Sequence, residues 1–163
     1  MPSDTLTTLA TLVGARLKER GLMLATAESC TGGWVAQSLT SVSGSSDWFE
    51  RGFVTYSNSA KAAMRGVAPE TLAGHGAVSE QTAREMASGA LARSRADLAL
   101  AITGVAGPTG GSADKPVGMV CFAWARKGAP ITCSTRRFSG DREAVRRQSV
   151  IAALQGVLEL LES

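Results

Sequence analysis

The sequence predicts a three-layer α/β/α fold with a mixed, mostly parallel sheet. Three observations carry that expectation. Short apolar runs at 22–27 and 97–102 read as strands buried on both faces, as parallel strands are. Segments with apolar residues at helical spacing alternate with them. Late in the chain two strand-like runs, 117–125 and 131–138, follow one another across a turn at Lys127-Gly128 and add an antiparallel element. No internal repeat, low-complexity tract or linker interrupts the 163 residues, so 1–163 reads as one domain.

The elements follow in order. Ser3 or Asp4 can cap a first helix, whose Leu6, Leu9, Leu12, Val13 and Leu17 recur on one face and which Gly21 ends. The strand 22–27 runs directly into Glu28-Ser29-Cys30-Thr31-Gly32-Gly33, and 34–39 reads as a helix. Residues 44–47 form a loop, 53–56 a strand and 60–64 a helical stretch. Pro69 opens a short helix over 70–73, and Ser79 caps a longer one through Arg93 that buries Met86, Ala87, Ala90 and Leu91. After the strand at 97–102 comes a glycine-rich loop, 103–115. Ser139-Gly140-Asp141 starts a last helix running nearly to Ser163.

Composition narrows the function. Hydrophobic residues make up 44% and charged residues 19%, which suits a folded globular chain. No stretch reaches the roughly 20 apolar residues of a membrane span, and the first four residues show no basic secretory leader. Cys30, Cys121 and Cys133 give neither a disulfide framework nor a metal-ligand spacing, and packing is their expected role. The cytoplasm is the expected compartment. A single histidine, His75, excludes a site built from several. A net charge of +3 and 5% aromatics give no footprint for nucleic acid. Arg136, Arg137, Arg142, Arg146 and Arg147 do cluster, in a way that suits a phosphate better than a polymer.

Four segments could carry chemistry. Ser29 follows a strand and precedes a helix, where ligands of open α/β sheets bind and where N–H groups favour a developing oxyanion. A hydroxyl there can attack a carbonyl; equally, Ser29 and Thr31 could merely cap the helix while Gly32 and Gly33 turn the backbone. A serine nucleophile needs a base. His75 sits between two glycines in a surface loop, so Lys61, its pKa lowered by burial, is the candidate, with Tyr56 as proton relay. The alternative for Lys61 is a solvated surface charge. Thr103, Gly104 and Gly107 open a loop that either cradles a ligand with backbone N–H groups or simply turns, and it matches neither a Walker motif nor GxGxxG. Arg142 and Arg146, four apart near a helix start, either hold a phosphate or form a solvated basic face. Beside Ser29, Cys30 reads as a packed neighbour.

These segments, TAESCTGGWVAQSL (26–39), GFVTYSNSAK (52–61), GAVSEQTAREMA (76–87), ITGVAGPTGGSADKPVG (102–118) and FSGDREAVRRQ (138–148), resemble the C-terminal domain of the CinA family. The resemblance runs in order from about Leu6 to about Leu158, and the extra N-terminal domain of larger members has no counterpart here. It implies an α/β/α homo-oligomer that hydrolyses the carboxamide of nicotinamide mononucleotide to nicotinate mononucleotide and ammonia, in pyridine nucleotide recycling, with no metal and no cofactor. It places the nucleophile at Ser29 and carries the family's lysine and tyrosine onto Lys61 and Tyr56. Backbone N–H groups of Thr31, Gly32 and Gly33 would then face the oxyanion, while Thr103, Gly104, Gly107 and Arg142 would hold ribose and phosphate. Two other functions fit the same residues. A non-catalytic pyridine-nucleotide-binding module would keep the loop and arginines without turnover. A serine amidohydrolase of another small amide would keep Ser29 and Lys61 without needing the arginines. A DNA-associated role, suggested only by the family's historical link to competence, is disfavoured by the charge and aromatic content.

Overall fold

The structure, a computed structural model, describes residues 5–63 and 66–162. Five strands form one sheet in the order β2-β1-β3-β4-β5, with β1 Leu24–Glu28, β2 Phe49–Val54, β3 Leu98–Gly104, β4 Met119–Arg126 and β5 Thr132–Arg137. β1 pairs in parallel with β2 and β3, whereas β4 is antiparallel to both β3 and β5. Four strands therefore point one way and β4 the other, which is the expected mixed, mostly parallel sheet.

The central strands alternate in size as well as in direction. Leu24, Leu98, Leu100, Ile102, Val120, Phe122 and Trp124 line one face of the sheet, in a core with residues of α1 (Thr5–Arg20) and α6 (Arg142–Glu162). Ala25, Ala27, Ala99, Ala101, Cys121, Ala123 and Ala125 line the other face, clustered with Ala83, Met86, Ala87 and Ala90 of α5 (Glu80–Ala92). Side chains of a strand alternate between faces, so apolar runs in sequence supply both cores at once. On the large face, Gly14 of α1 and Gly156 of α6 admit indole rings: a Cβ there would sit 2.4 Å from Trp48 and 2.1 Å from Trp124.

The remaining elements are α2 (Trp34–Thr40), a 3-10 turn at Ser45–Asp47, α3 (Asn58–Ala63) and α4 (Pro69–His75). Several expected boundaries are corrected. The second strand lies at Phe49–Val54 rather than 53–56, because this edge strand is only half-buried and tolerates Glu50 and Arg51. His75 closes α4 rather than lying in a loop; it is exposed, and its carbonyl accepts from Lys115 Nζ. Leu12 belongs to the exposed side of α1 and Leu91 is only partly buried. The proposed caps Ser3 and Asp4, and the helix ends at Met64 and Ser163, lie outside the described residues. Ser79 does cap α5, accepting from Thr82 N–H at 3.1 Å. Among the described residues, no helix is long and apolar enough to cross a membrane.

The strand order reverses beside β1: the chain goes from β1 to β2 on one side, then crosses to β3 on the other. The carboxyl ends of β1, β2 and β3 therefore open at a topological switch point, where ligands of such sheets bind.

Candidate active site

Parallel pairing brings the first two segments together. β1 ends at Glu28 opposite Val54 of β2, and Thr55 N–H continues the ladder to the Glu28 carbonyl at 2.9 Å. Ser29 and Thr55 are thus side by side just beyond the sheet. The chain then turns into α3, where the Ser57 hydroxyl accepts from Ala60 N–H at 3.1 Å. One turn of helix carries Lys61 back over the end of β1.

Lys61 is 1% exposed and is among the largest fully buried side chains. Its Nζ lies 3.0 Å from Ser29 Oγ, 3.0 Å from the Thr55 carbonyl and 3.3 Å from the Tyr56 carbonyl. These partners are one hydroxyl and two carbonyls, and none is a carboxylate. Burial pushes the amine below the ordinary lysine value, with the neighbouring Cys30 thiol pulling weakly the other way. Nζ is within donor distance of all three oxygens; once the amine is deprotonated, two N–H bonds serve the two carbonyls and the lone pair is left to accept from the Ser29 hydroxyl. Solvated surface charge is excluded for Lys61.

Tyr56 enters differently. Its carbonyl faces Lys61, but its side chain is 62% exposed and its hydroxyl accepts from Arg142 Nη2 at 3.0 Å. Arg142 Nη1 donates to the Gly107 carbonyl at 2.7 Å. Arg142 therefore ties the glycine loop to the end of β2, at the mouth of the site.

The segment after Ser29 is held from below by a carboxylate. Glu28 is fully buried, and its oxygens accept from Thr31 Oγ1 at 2.6 Å, Val35 N–H at 2.9 Å and Ala36 N–H at 3.0 Å. The start of α2 is thus filled by Glu28 and is not itself open to an anion, which corrects one expectation. The Thr31 hydroxyl also points inward, leaving its backbone for any ligand. Gly32 and Gly33 have positive φ (60° and 101°), and Gly33 is the N-cap of α2. Gly32 N–H closes a turn on the Ser29 carbonyl at 2.9 Å. Among the described residues, Thr31 N–H has no hydrogen-bond partner.

Arg146 does not share a ligand site with Arg142. It reaches back to the Cys30 and Thr31 carbonyls (Nε 3.2 Å, Nη2 3.1 Å), with its guanidinium carbon 5.6 Å from the centre of the Trp34 ring. Cys30 is buried beside Ser29, and burial pushes its thiol up to about 12, so it stays protonated.

In the glycine loop, Thr103 is buried and its hydroxyl donates to the Ala77 carbonyl at 2.7 Å, tying β3 to the segment before α5. Gly104 pairs with Val120, and a Cβ there would lie 2.8 Å from the Met119 carbonyl oxygen. Gly107 packs against Val117, and its carbonyl is the one Arg142 holds. These residues shape the loop, and Ser29 N–H donates to the Ile102 carbonyl at 3.0 Å, so the loop departs beside Ser29. Among the described residues, no group of three or more His, Cys, Asp or Glu is placed to hold a metal ion.

Glu28 and the Thr55 carbonyl are not among the sequence candidates, and Arg146 is among them only as a phosphate ligand or part of a solvated basic face, not as a holder of backbone carbonyls. A carboxylate at the end of an apolar strand was the available signal for Glu28, since a buried charge must be hydrogen-bonded.

Comparison with known proteins gives a consistent result. The CinA C-terminal domain family matches residues 6–161. The nicotinamide-nucleotide amidohydrolase PncC of Escherichia coli K12 is 60% identical over 158 residues, covering 95% of this chain and 94% of that protein. The protein of the same name from Pseudomonas putida is 54% identical, covering 96% and 98%. Among solved structures, the competence/damage inducible protein CihA from Agrobacterium tumefaciens superposes with a TM-score of 0.94 at 46% identity, covering 100% and 99% of the two chains.

Proposed function

The chain belongs to the CinA C-terminal domain family, and from that membership we propose a nicotinamide-nucleotide amidohydrolase that works through Ser29 and Lys61. It hydrolyses the carboxamide of nicotinamide mononucleotide to nicotinate mononucleotide and ammonia. The observation that carries the mechanism is the 3.0 Å contact between Lys61 Nζ and Ser29 Oγ, in a buried setting that lowers the pKa of the amine.

Lys61 takes the Ser29 proton as Oγ attacks the carboxamide carbon. The oxyanion that forms is met by those backbone N–H groups of the turn after Ser29 that are not already engaged, Thr31 first among them, and not by Gly32, whose N–H is taken by the Ser29 carbonyl; loss of one such donor in other hydrolases costs roughly 2.7–4 kcal/mol. The protonated Lys61 gives its proton to the amide nitrogen, the C–N bond breaks and ammonia leaves. Water then attacks the Ser29 ester, Lys61 takes its proton and returns one to Oγ, and nicotinate mononucleotide is released. Lys61 reaches Ser29 without an intermediary. Tyr56 contributes its carbonyl to the lysine cage and its phenol to the mouth of the site.

Arg142 and the 104–111 loop hold the 5′-phosphate and ribose in this reading, the guanidinium exchanging its present oxygen partners for phosphate oxygens. The scheme uses no metal and no cofactor, and the working form is a cytoplasmic homo-oligomer of this single domain. Ammonia release from nicotinamide mononucleotide, assayed with Ser29→Ala alongside, tests the whole reading. Release by the unaltered protein alone supports substrate and nucleophile together; no release by the folded protein removes the substrate assignment.

A further inference from the structure

We propose that Arg146 is a positioning residue for the reaction, holding the Cys30–Thr31 peptide so that Thr31 N–H is presented to the oxyanion formed on attack by Ser29. The proposal rests on the Ser29 mechanism above.

In a trans peptide the carbonyl and the N–H lie on opposite edges of one plane. The Cys30 carbonyl and the Thr31 N–H share such a plane. Arg146 Nε holds that carbonyl at 3.2 Å, and Nη2 holds the next one, of Thr31, at 3.1 Å. Two consecutive peptide planes of the turn after the nucleophile are therefore fixed by one rigid, planar cation. The cation is itself fixed by its seat over the Trp34 ring. A side chain on residue 32 would crowd it, since a Cβ on Gly32 would lie 3.3 Å from Nη2. With its carbonyl turned toward α6, the peptide points Thr31 N–H away from α6. The turn closed by Gly32 N–H on the Ser29 carbonyl keeps the segment folded back toward the nucleophile. Thr31, Cys30 and Gly33 N–H have no partner among the described residues, whereas the donors at Ser29, Gly32, Trp34, Val35 and Ala36 are engaged; of the three open donors, Thr31 N–H is the one on a peptide whose carbonyl Arg146 holds. A donor left open beside a nucleophile, on a peptide clamped from its other edge, is the preorganised arrangement that oxyanion stabilisation needs. Salt-bridge and phosphate-binding roles do not account for Arg146, because its recorded partners are these two carbonyls and an aromatic face.

The test compares Arg146→Ala and Arg146→Lys with the unaltered enzyme. It reads kcat and KM for nicotinamide mononucleotide, the rate at which a fluorophosphonate labels Ser29, and the unfolding midpoint. In Arg146→Ala, kcat is expected to fall about 100-fold, the scale of one oxyanion donor, with KM within about threefold. The labelling rate falls in parallel, because the phosphoryl oxygen takes the same place. Arg146→Lys, which can hold one carbonyl but not the fork, lies between. Added guanidinium restores part of kcat to Arg146→Ala, and the pH midpoint set by Lys61 does not move. Unchanged kcat and labelling in either folded variant would overturn the proposal, as would a raised KM at constant kcat, which would make Arg146 a substrate ligand. If the unaltered enzyme labels at Ser29 but releases no ammonia, the substrate assignment fails while the labelling rates still decide the role of Arg146. No labelling of Ser29 in the unaltered enzyme overturns the nucleophile and this proposal together.

Discussion

Lys61 Nζ lies 3.0 Å from Ser29 Oγ, and its other two partners are backbone carbonyls. In the proposed mechanism the pair is a base and a nucleophile in direct contact, and no carboxylate is among the recorded partners of the amine. Ser29→Ala removes the attacking atom and should lower ammonia release by at least about 1,000-fold, the scale on which loss of a nucleophile acts in serine hydrolases. It should leave the unfolding midpoint within a few degrees, and retained turnover in this variant would remove Ser29 from the mechanism.

The pH dependence follows from Lys61. Attack requires the neutral amine, so kcat/KM should rise with pH through the lysine pKa and level off above it. Burial sets that midpoint below the ordinary value of 10.5. Lys61→Arg, which stays protonated at any working pH, should be inactive across the range. A pH profile that survives in this variant would assign the base elsewhere.

The same shift has a stability consequence. The unfolded chain holds the lysine proton up to about 10.5, whereas the folded chain releases it at lower pH. Between those two values the unfolded state binds more protons, so stability rises with pH. Below the window, keeping or shedding the charge opposes folding. Lys61→Met carries no such term. Its unfolding midpoint should equal or exceed that of the unaltered protein near neutrality, and the difference should shrink as pH rises toward 10, read by thermal unfolding at a series of pH values.

The position of Ser29 beyond a strand end was legible from patterning, whereas Lys61 was reached through the need for a base and the family resemblance, since no apolar run marks the strand before it. The strand 22–27 is apolar and ends in small polar residues, which puts Ser29 at the open edge of the sheet. What could not be read was the direction of side chains. Helical spacing puts Arg142 and Arg146 on one face of α6, yet one guanidinium goes to Gly107 and Tyr56 and the other to Cys30 and Thr31. Likewise the Tyr56 phenol faces Arg142 and not the lysine. Edge strand β2 was displaced in sequence because a half-exposed strand has no unbroken apolar run to mark it.

Glu28 should govern stability more than chemistry. Its buried carboxylate accepts from Thr31 Oγ1, Val35 N–H and Ala36 N–H. Glu28→Gln keeps the shape but puts an amide donor against one of these donors. The expected loss is about 2–3 kcal/mol by urea unfolding, with a larger loss for Glu28→Ala. A neutral outcome for Glu28→Gln would mean that the carboxyl is not needed as an anion at the start of α2.

Cys30 should be silent toward alkylation. Its thiol is buried and pushed up to about 12, so almost no thiolate exists at pH 8. Iodoacetamide at that pH should leave the folded protein unlabelled at Cys30 and fully active. Cys30→Ala should keep kcat within about threefold while lowering stability by roughly 1–2 kcal/mol for the lost buried sulfur. Rapid alkylation accompanied by inactivation would instead place a reactive thiol at the site and compete with Ser29 for the nucleophile.

Arg142 separates binding from chemistry. It bridges the Gly107 carbonyl and the Tyr56 hydroxyl at the mouth of the site, one helical turn before Arg146. Its exposed guanidinium is the group available to a phosphate. Arg142→Ala should raise KM for nicotinamide mononucleotide about 10- to 100-fold, the range of a charged hydrogen bond, while kcat changes only several-fold. The preference for nicotinamide mononucleotide over its dephosphorylated riboside should fall by the same factor, because the lost contact is to the phosphate alone. Inorganic phosphate should compete with substrate in the unaltered enzyme and not in the variant. Equal KM values with a lowered kcat would mean that Arg142 acts through Tyr56 and the glycine loop, ordering the mouth of the site and not gripping the phosphate.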